Sequence, residues 1–233
     1  MKEVIIELKE LKKGYSGQLV LDIPSMDIFS GESLGLVGNN GAGKTTLFSL
    51  VLDLIRASKG EVLSKGSNVA QSENWKHYTG AFLDESFLID FLTAEEYFNF
   101  VGKLHGWNPT DVSNFLQGYE EFFNGEVLGK KKYLRDMSKG NQKKVGIVAA
   151  LIGDPEIILL DEPFANLDPS TQIRLKRLIN DISKDRTVLI SSHDLAHVTE
   201  VCNRIVVLDK GAVVKDLETS EETLRELESY FAV

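Results

Sequence analysis

The chain has 233 residues, 42% of them hydrophobic, and a formal net charge of −9. That length serves one large domain or two small ones and buries a proper core, and the ordinary apolar content excludes a disordered chain. The acidic balance argues against nucleic acid as the main partner and against free adsorption to an anionic membrane, since both need a basic excess.

Short apolar runs recur along the chain and read as strands. They lie at residues 4–8 (VIIEL), 19–23 (LVLDI), 34–37 (LGLV), 81–83 (AFL), 157–160 (IILL), 187–190 (TVLI) and 205–208 (IVVL). The runs without alternation are expected to be buried on both faces, as in a parallel sheet covered by helices. Between them, apolar stripes at i, i+3, i+4 and i+7 predict helices. The first carries Leu47, Leu50, Val51 and Leu54. The second carries Tyr97, Phe100, Val101 and Leu104, opened by a Thr93–Glu96 capping box. Val112, Phe115, Leu116 and Tyr119 form the third. Val145, Val148, Ala149 and Ile152 form the fourth, stopped by Gly153 and Pro155. Leu175, Leu178, Ile179 and Ile182 form the fifth, with Asp168 as N-cap and Pro169 at the first helical position. Residues 217–231 read as a last amphipathic helix, with Thr219 and Glu222 as a capping box.

Strand alternating with helix predicts an α/β fold. The rhythm breaks from about residue 84 to 135, which reads as a purely helical insertion. Phenylalanines concentrate there between Phe82 and Phe123, as a small helical core or as a partner groove. No run reaches the roughly 18 apolar residues of a membrane helix. The opening MKEVIIELKELKK is charged throughout and predicts no signal peptide. A single cysteine, Cys202, excludes an internal disulfide and suits a reducing cytoplasm. Cys202, His77, His105 and His197 have no metal-ligand spacing and read as structural.

The segment GNNGAGKTT, residues 38–46, follows the LGLV strand and opens the first helical stripe. It matches G-x-x-x-x-G-K-[ST] in the context that motif requires. Gly38, Asn39, Asn40, Gly41, Ala42 and Gly43 let backbone N–H groups turn inward around phosphates, and the helix N-terminus adds partial positive charge. Lys44 supplies a full charge to the β- and γ-phosphates, Thr45 a hydroxyl for Mg²⁺, and Thr46 completes the turn. A second metal-binding carboxylate is expected at the end of a neighbouring strand, and IILLDEPF supplies Asp161. Glu162 follows it. Adjacent residues of a strand point apart, so the pair is expected to serve the metal and the attacking water respectively, with Pro163 ending the strand. These residues describe a nucleoside triphosphatase using Mg²⁺, a chemistry of positioning and charge neutralisation.

With those motifs placed, the chain from about residue 4 to 214 resembles an ABC-type ATPase, the nucleotide-binding subunit of ATP-binding-cassette transporters. KKGYSG puts Tyr15 where the family has the aromatic that stacks on adenine. GNNGAGKTT corresponds to Walker A. MSKGN, residues 137–141, falls where the signature Leu-Ser-Gly-Gly-Gln would. IILLDEPFANLDP resembles Walker B and the following loop, whose aspartate is Asp168. ISSHD puts His193 at the switch histidine. Alone, Tyr15 reads as a turn tyrosine and His193 as a capping or core histidine; their order and spacing favour the functional reading.

The resemblance implies a P-loop NTPase core with a mainly parallel sheet flanked by helices, an N-terminal antiparallel β subdomain and an inserted α-helical subdomain. Residues 1–233 would form a single ATP-binding domain, with a helical tail from about 219 to 233. It implies a head-to-tail homo- or heterodimer sandwiching two ATP, in which Ser138 and Gly140 of one subunit meet the γ-phosphate held by the other. Glu162 would orient or deprotonate the attacking water and His193 would contact the γ-phosphate. A separate transmembrane permease would hold the subunit at the cytoplasmic, inner face of the membrane.

Three departures stand out. Lys139 and Asn141 replace a glycine and the glutamine of the signature. Asp84 occupies the position of the usual glutamine, a Mg²⁺ ligand and link to the permease; a carboxylate also suits this hard cation. The acidic loop of exporters is replaced by GKKKYLR, residues 129–135, a basic run of the kind usually found in solvated loops. Together these features look like the ABC-2 group, whose ATPase subunits work with separate permeases and often export their substrates. A soluble ABC ATPase acting on ribosomes or DNA usually carries two cassettes or a long coiled-coil insertion, and neither is present. A cassette that binds ATP without turnover is opposed by Glu162 and His193.

Overall fold

The computed structural model describes residues 3–231. The chain opens with two long strands, β1 (Val4–Tyr15) and β2 (Gln18–Phe29), joined at Ser16 and Gly17. Both connecting residues have positive φ, the twist a tight hairpin turn demands. With β4 (Lys59–Ser64) and β5 (Ser67–Asn68) these strands form an antiparallel sheet in the order β2-β1-β4-β5.

The second sheet contains β3 (Ser33–Val37), β6 (Thr79–Phe82), β7 (Ile157–Asp161), β8 (Thr187–Ser192), β9 (Arg204–Asp209) and β10 (Ala212–Glu218). Its order is β10-β9-β3-β8-β7-β6, parallel throughout except for the β9–β10 hairpin. Every residue of β3, β7 and β8 is buried. That burial is why their sequences show no alternation. The two faces still separate: Ile158 and Leu160 join one hydrophobic core, Ile157 and Leu159 the other. The second core also takes α1 (Lys44–Val51) and the inner face of the antiparallel sheet.

Helices α2 (Ala94–Leu104), α3 (Pro109–Gln117) and α4 (Glu120–Phe123) fall between β6 and β7, as the broken rhythm predicted. Phe98, Phe122 and Phe123 are buried among them, with Phe98 and Phe123 centroids 5.8 Å apart. Phe87 and Phe91 remain 61% exposed. The aromatic cluster is therefore a helical core with exposed members at its edge. Four more helices complete the chain: α5 (Lys139–Ala149), α6 (Pro169–Ile182), α7 (Leu195–Val201) and α8 (Thr223–Phe231).

The Thr93–Glu96 capping box forms, and Asp168 caps α6 with Pro169 at its first position. Other boundaries differ. The first helix ends at Val51, and Asp53 takes a left-handed φ of 49°, so Leu54 lies outside it and is exposed. Tyr119 lies beyond α3, and Ile152 beyond α5. The final helix starts at Thr223, because Leu217 and Glu218 finish β10 against β9. The Thr223 hydroxyl accepts from Ser220 N–H at 2.8 Å, in place of the expected Thr219–Glu222 box. Residues 232 and 233 of the expected tail lie outside the described residues.

Candidate nucleotide site

After Val37 the backbone turns through residues 38–43 before α1 begins. Gly41 and Gly43 take φ of 82° and 108°, where a Cβ would be strained. Gly38 is required for a different reason: a Cβ there would lie 2.2 Å from the Leu208 carbonyl oxygen. The turn delivers Lys44 as the first residue of α1, 6% exposed. Its Nζ donates to the Gly38 carbonyl at 2.7 Å and lies 3.4 Å from Glu162 Oε1. Residues 40–46, Val20 and Glu162 line a cleft of about 260 Å³.

Asp161 ends β7 beside that turn. Thr45 Oγ1 donates to its Oδ2 at 2.5 Å, and the Ser191 hydroxyl donates to its Oδ1. Burial pushes the Asp161 carboxyl up, and those two hydroxyls with the Lys44 charge oppose the shift. A buried carboxylate and a hydroxyl side by side are the hard oxygen donors that suit Mg²⁺. Among the described residues, no group of three or more His, Cys, Asp or Glu forms a ready-made metal cage. Mg²⁺ fits that economy, because it is usually held by one or two carboxylates with phosphates and water supplying the rest.

Glu162 lies outside the strand, which ends one residue earlier. It takes a left-handed φ of 44°, and this turn, instead of strand alternation, separates its side chain from that of Asp161. Pro163 therefore lies inside the turn that Glu162 begins and does not end the strand. Glu162 N–H donates to Ser191 Oγ at 3.0 Å, so one buried hydroxyl steadies both acidic residues. His193 Nδ1 lies 2.8 Å from Glu162 Oε2.

A neighbouring cavity of about 390 Å³ brings Asp84 together with Thr45, Asp161, Glu162, Lys143 and Asn166. Asp84 Oδ1 accepts from Ser86 N–H at 2.8 Å. Hydrogen bonding from Ser86 holds the Asp84 carboxyl below the usual carboxylate range, helped by the charges of Lys139 and Lys143.

Ser138 and Gly140 are elsewhere. Ser138 caps α5, its Oγ accepting from Asn141 N–H at 3.3 Å. Both line a separate cavity of about 430 Å³ with Lys139, Asn141, Lys144 and Asp168. None of these residues lines the Lys44 cleft. Asp168 accepts from Thr171 N–H at 3.0 Å and from the Ser170 and Thr171 hydroxyls at 2.6 Å, which pulls its carboxyl far below the usual range. Tyr15 is half exposed at the end of β1, with Lys13 Nζ 4.6 Å from its ring centroid, and does not line the cleft.

Sequence reasoning missed four residues here: Val20, Ser191, Glu85 and Lys143. Ser191 was visible as a small polar residue directly after the apolar run TVLI, where β8 continues to Ser192. The others carry no local signal, because their partners are distant in the chain.

The mainly parallel sheet, the glycine turn and its lysine define a P-loop nucleotide-binding protein. A family model described as ABC transporter matches residues 21–165. An uncharacterized ABC transporter ATP-binding protein of Synechocystis is 34% identical over 192 residues, covering 82% of this chain. The chain spans about half the length of that relative, 54%. The solved structure of an ATP-binding subunit of an ABC transporter matches with a TM-score of 0.82 at 27% identity, over 97% of this chain and 93% of that one. A dimeric ATP-binding cassette in a post-hydrolysis state, bound to ADP and Pi, shares the fold at a TM-score of 0.82 and 22% identity, over 93% of this chain and 99% of that one. The chain belongs to the ABC transporter family, as an ATP-binding domain.

Proposed function

We propose that this chain binds and hydrolyses Mg-ATP and, by dimerising on it, powers a separate membrane permease, as an exporter of the ABC-2 type. The observation that carries this reading is the division of the site. Lys44 and Glu162 line one cleft, with His193 Nδ1 2.8 Å from Glu162, while Ser138 and Gly140 line another. A half-site facing outward is complete only against a second copy or a homologous subunit. The matched cassette that is a dimer bound to ADP and Pi supports the same reading.

In this proposal residues 38–46 cradle the phosphates and Lys44 neutralises them. Tyr15 supports adenine. Thr45 and Asp161 would hold Mg²⁺, with Asp84 beside them, and the ion would supply charge neutralisation to the bound phosphates. Glu162 orients or deprotonates the attacking water, and His193, 2.8 Å from Glu162, contacts the γ-phosphate. Ser138, Gly140 and Asp168 act across the dimer. The permease would engage an apolar groove of about 330 Å³ lined by Leu54, Phe82, Phe87, Tyr97 and Val101, next to the Asp84 turn. Among the described residues no helix is long and apolar enough to cross a membrane. This fits membrane attachment through a partner, at the cytoplasmic face.

The test is Glu162→Gln. Removal of a general base costs about 10²–10⁴-fold in rate. The variant is expected to bind ATP, hydrolyse it at least about 100-fold more slowly, and elute as a dimer in ATP and Mg²⁺. A variant that stays monomeric, or that hydrolyses normally, rejects the role.

A further inference from the structure

Lys143 is 5% exposed, on the second turn of α5. Burying an ammonium is costly unless its donors are used. Its Nζ donates to the carbonyl oxygens of Glu162 at 2.8 Å and Ala165 at 2.9 Å. A third neighbour, Glu85 Oε1, lies 3.7 Å away, with only 11% of the Glu85 side chain exposed. Burial pulls the Lys143 ammonium below the ordinary lysine range, and the charges of Glu85 and Glu162 resist that shift.

The two carbonyls bracket the turn after β7, which Ala165 N–H closes on Glu162 O at 3.2 Å. Glu162 begins that turn with its left-handed φ. Apart from Lys143, the Glu162 backbone is held by that one long hydrogen bond at its carbonyl and by Ser191 at its N–H, while Lys44 and His193 reach only its carboxylate. Lys143 supplies the anchor from another element.

That element matters. Helix α5 starts at the Ser138 cap, which faces the separate cavity. Glu85 belongs to the short turn Glu85–Phe87, whose Phe87 lines the apolar groove. One ammonium therefore joins the helix carrying Ser138, the turn carrying Phe87 and the loop carrying Glu162.

We propose that Lys143 is a positioning residue for Glu162, fixing the 162–165 turn and linking its geometry to the Ser138 helix and the Glu85–Phe87 turn. The proposal rests on the assignment of Glu162 to hydrolysis. A lysine of purely structural use would alter stability and nucleotide affinity together. A positioning lysine alters turnover with affinity left in place.

The experiment uses the full chain and compares steady-state ATP hydrolysis, affinity for a fluorescent ATP analogue, and thermal melting. Lys143→Met is expected to lower kcat at least ten-fold with KM and Kd within two-fold of wild type. Lys143→Arg keeps a buried cation and is expected to recover at least a third of kcat. Lys143→Met strands the Glu85 carboxylate, so the double variant Glu85→Gln/Lys143→Met is measured too. It is expected to melt close to wild type and stay slow. Turnover within two-fold of wild type in Lys143→Met or in the double variant overturns the proposal. So does a loss of kcat matched by an equal loss of affinity in the double variant. A wild-type chain that does not turn over Mg-ATP overturns the hydrolase reading, and the role of Lys143 with it; a hydrolysing wild type with unaffected variants overturns the Lys143 role alone.

Discussion

Asp84 is the residue whose environment most changes its expected part. Its oxygen caps a local turn through Ser86, while its side chain shares a cavity with Thr45 and Asp161. Held below the usual carboxylate range, it is ionised at neutral pH and adds a negative charge beside Thr45 and Asp161. Lys139 and Lys143 offset that charge from α5. Asp84→Gln is expected to preserve hydrolysis and to change the Mg²⁺ concentration giving half-maximal rate, read from ATPase assays across a Mg²⁺ titration. Identical Mg²⁺ curves would remove Asp84 from the metal site. At this scale the P-loop and Asp161–Glu162 were legible because their chemistry is local: glycines, a lysine and a carboxylate pair within a few residues. Lys143 was not. Its carbonyl partners lie 19 and 22 residues along the chain, and a lysine on a helix normally marks the solvent face.

Among the elements, α6 shows how a cap couples charge to stability. Asp168 accepts one amide and two hydroxyls, all of which favour its ionised form. Its folded pKa is depressed, so its contribution is fully present above the unfolded value of about 4 and is lost as pH falls through the lower folded value. Asp168→Asn keeps a capping oxygen and removes the charge. The variant should melt below wild type at pH 7, and the gap should close as melts are repeated below about pH 4. A gap independent of pH would mean that charge plays no part in the cap. The helices with strong stripes and caps were legible. Strands β4 and β10 were not, because charged residues interrupt them; they were recruited by partners, β1 and β9, far stronger than their own patterns. Helix α7 is seven residues long, too short for a stripe to register.

The division of the site gives the whole molecule a testable arithmetic. A Cβ on Gly140 would meet its nearest neighbours at 3.6 Å, an ordinary contact, so Gly140→Asp brings no clash at its Cβ while its charge opposes a phosphate. Lys44→Ala disables the P-loop instead. Each variant alone should be inactive. Mixed, they should form some dimers in which an intact P-loop meets an intact Ser138–Gly140 half, restoring a measurable fraction of ATPase activity. No recovery on mixing would refute a head-to-tail dimer. Fold class was readable from alternating strand and helix, whereas the separation of Ser138 from Lys44 needed the topology. The helix capped by Ser138 and the P-loop helix follow different strands, β6 and β3, and nothing in local spacing says which cavity each one faces.

The chain enters and leaves its inserted helices at nearly one point. Leu134 N–H donates to the Leu92 carbonyl at 2.8 Å, Arg135 N–H to that of Asp90 at 3.0 Å, and Thr93 bridges Tyr133. A segment whose ends meet can be exchanged without lengthening or twisting the sheet that bears it. The block from Thr93 to Tyr133 is thus a natural cassette for grafting. Chimeras that import it from a relative, keeping the buried partners of α5, would transfer whatever that block recognises and leave the P-loop, Asp161 and Glu162 untouched.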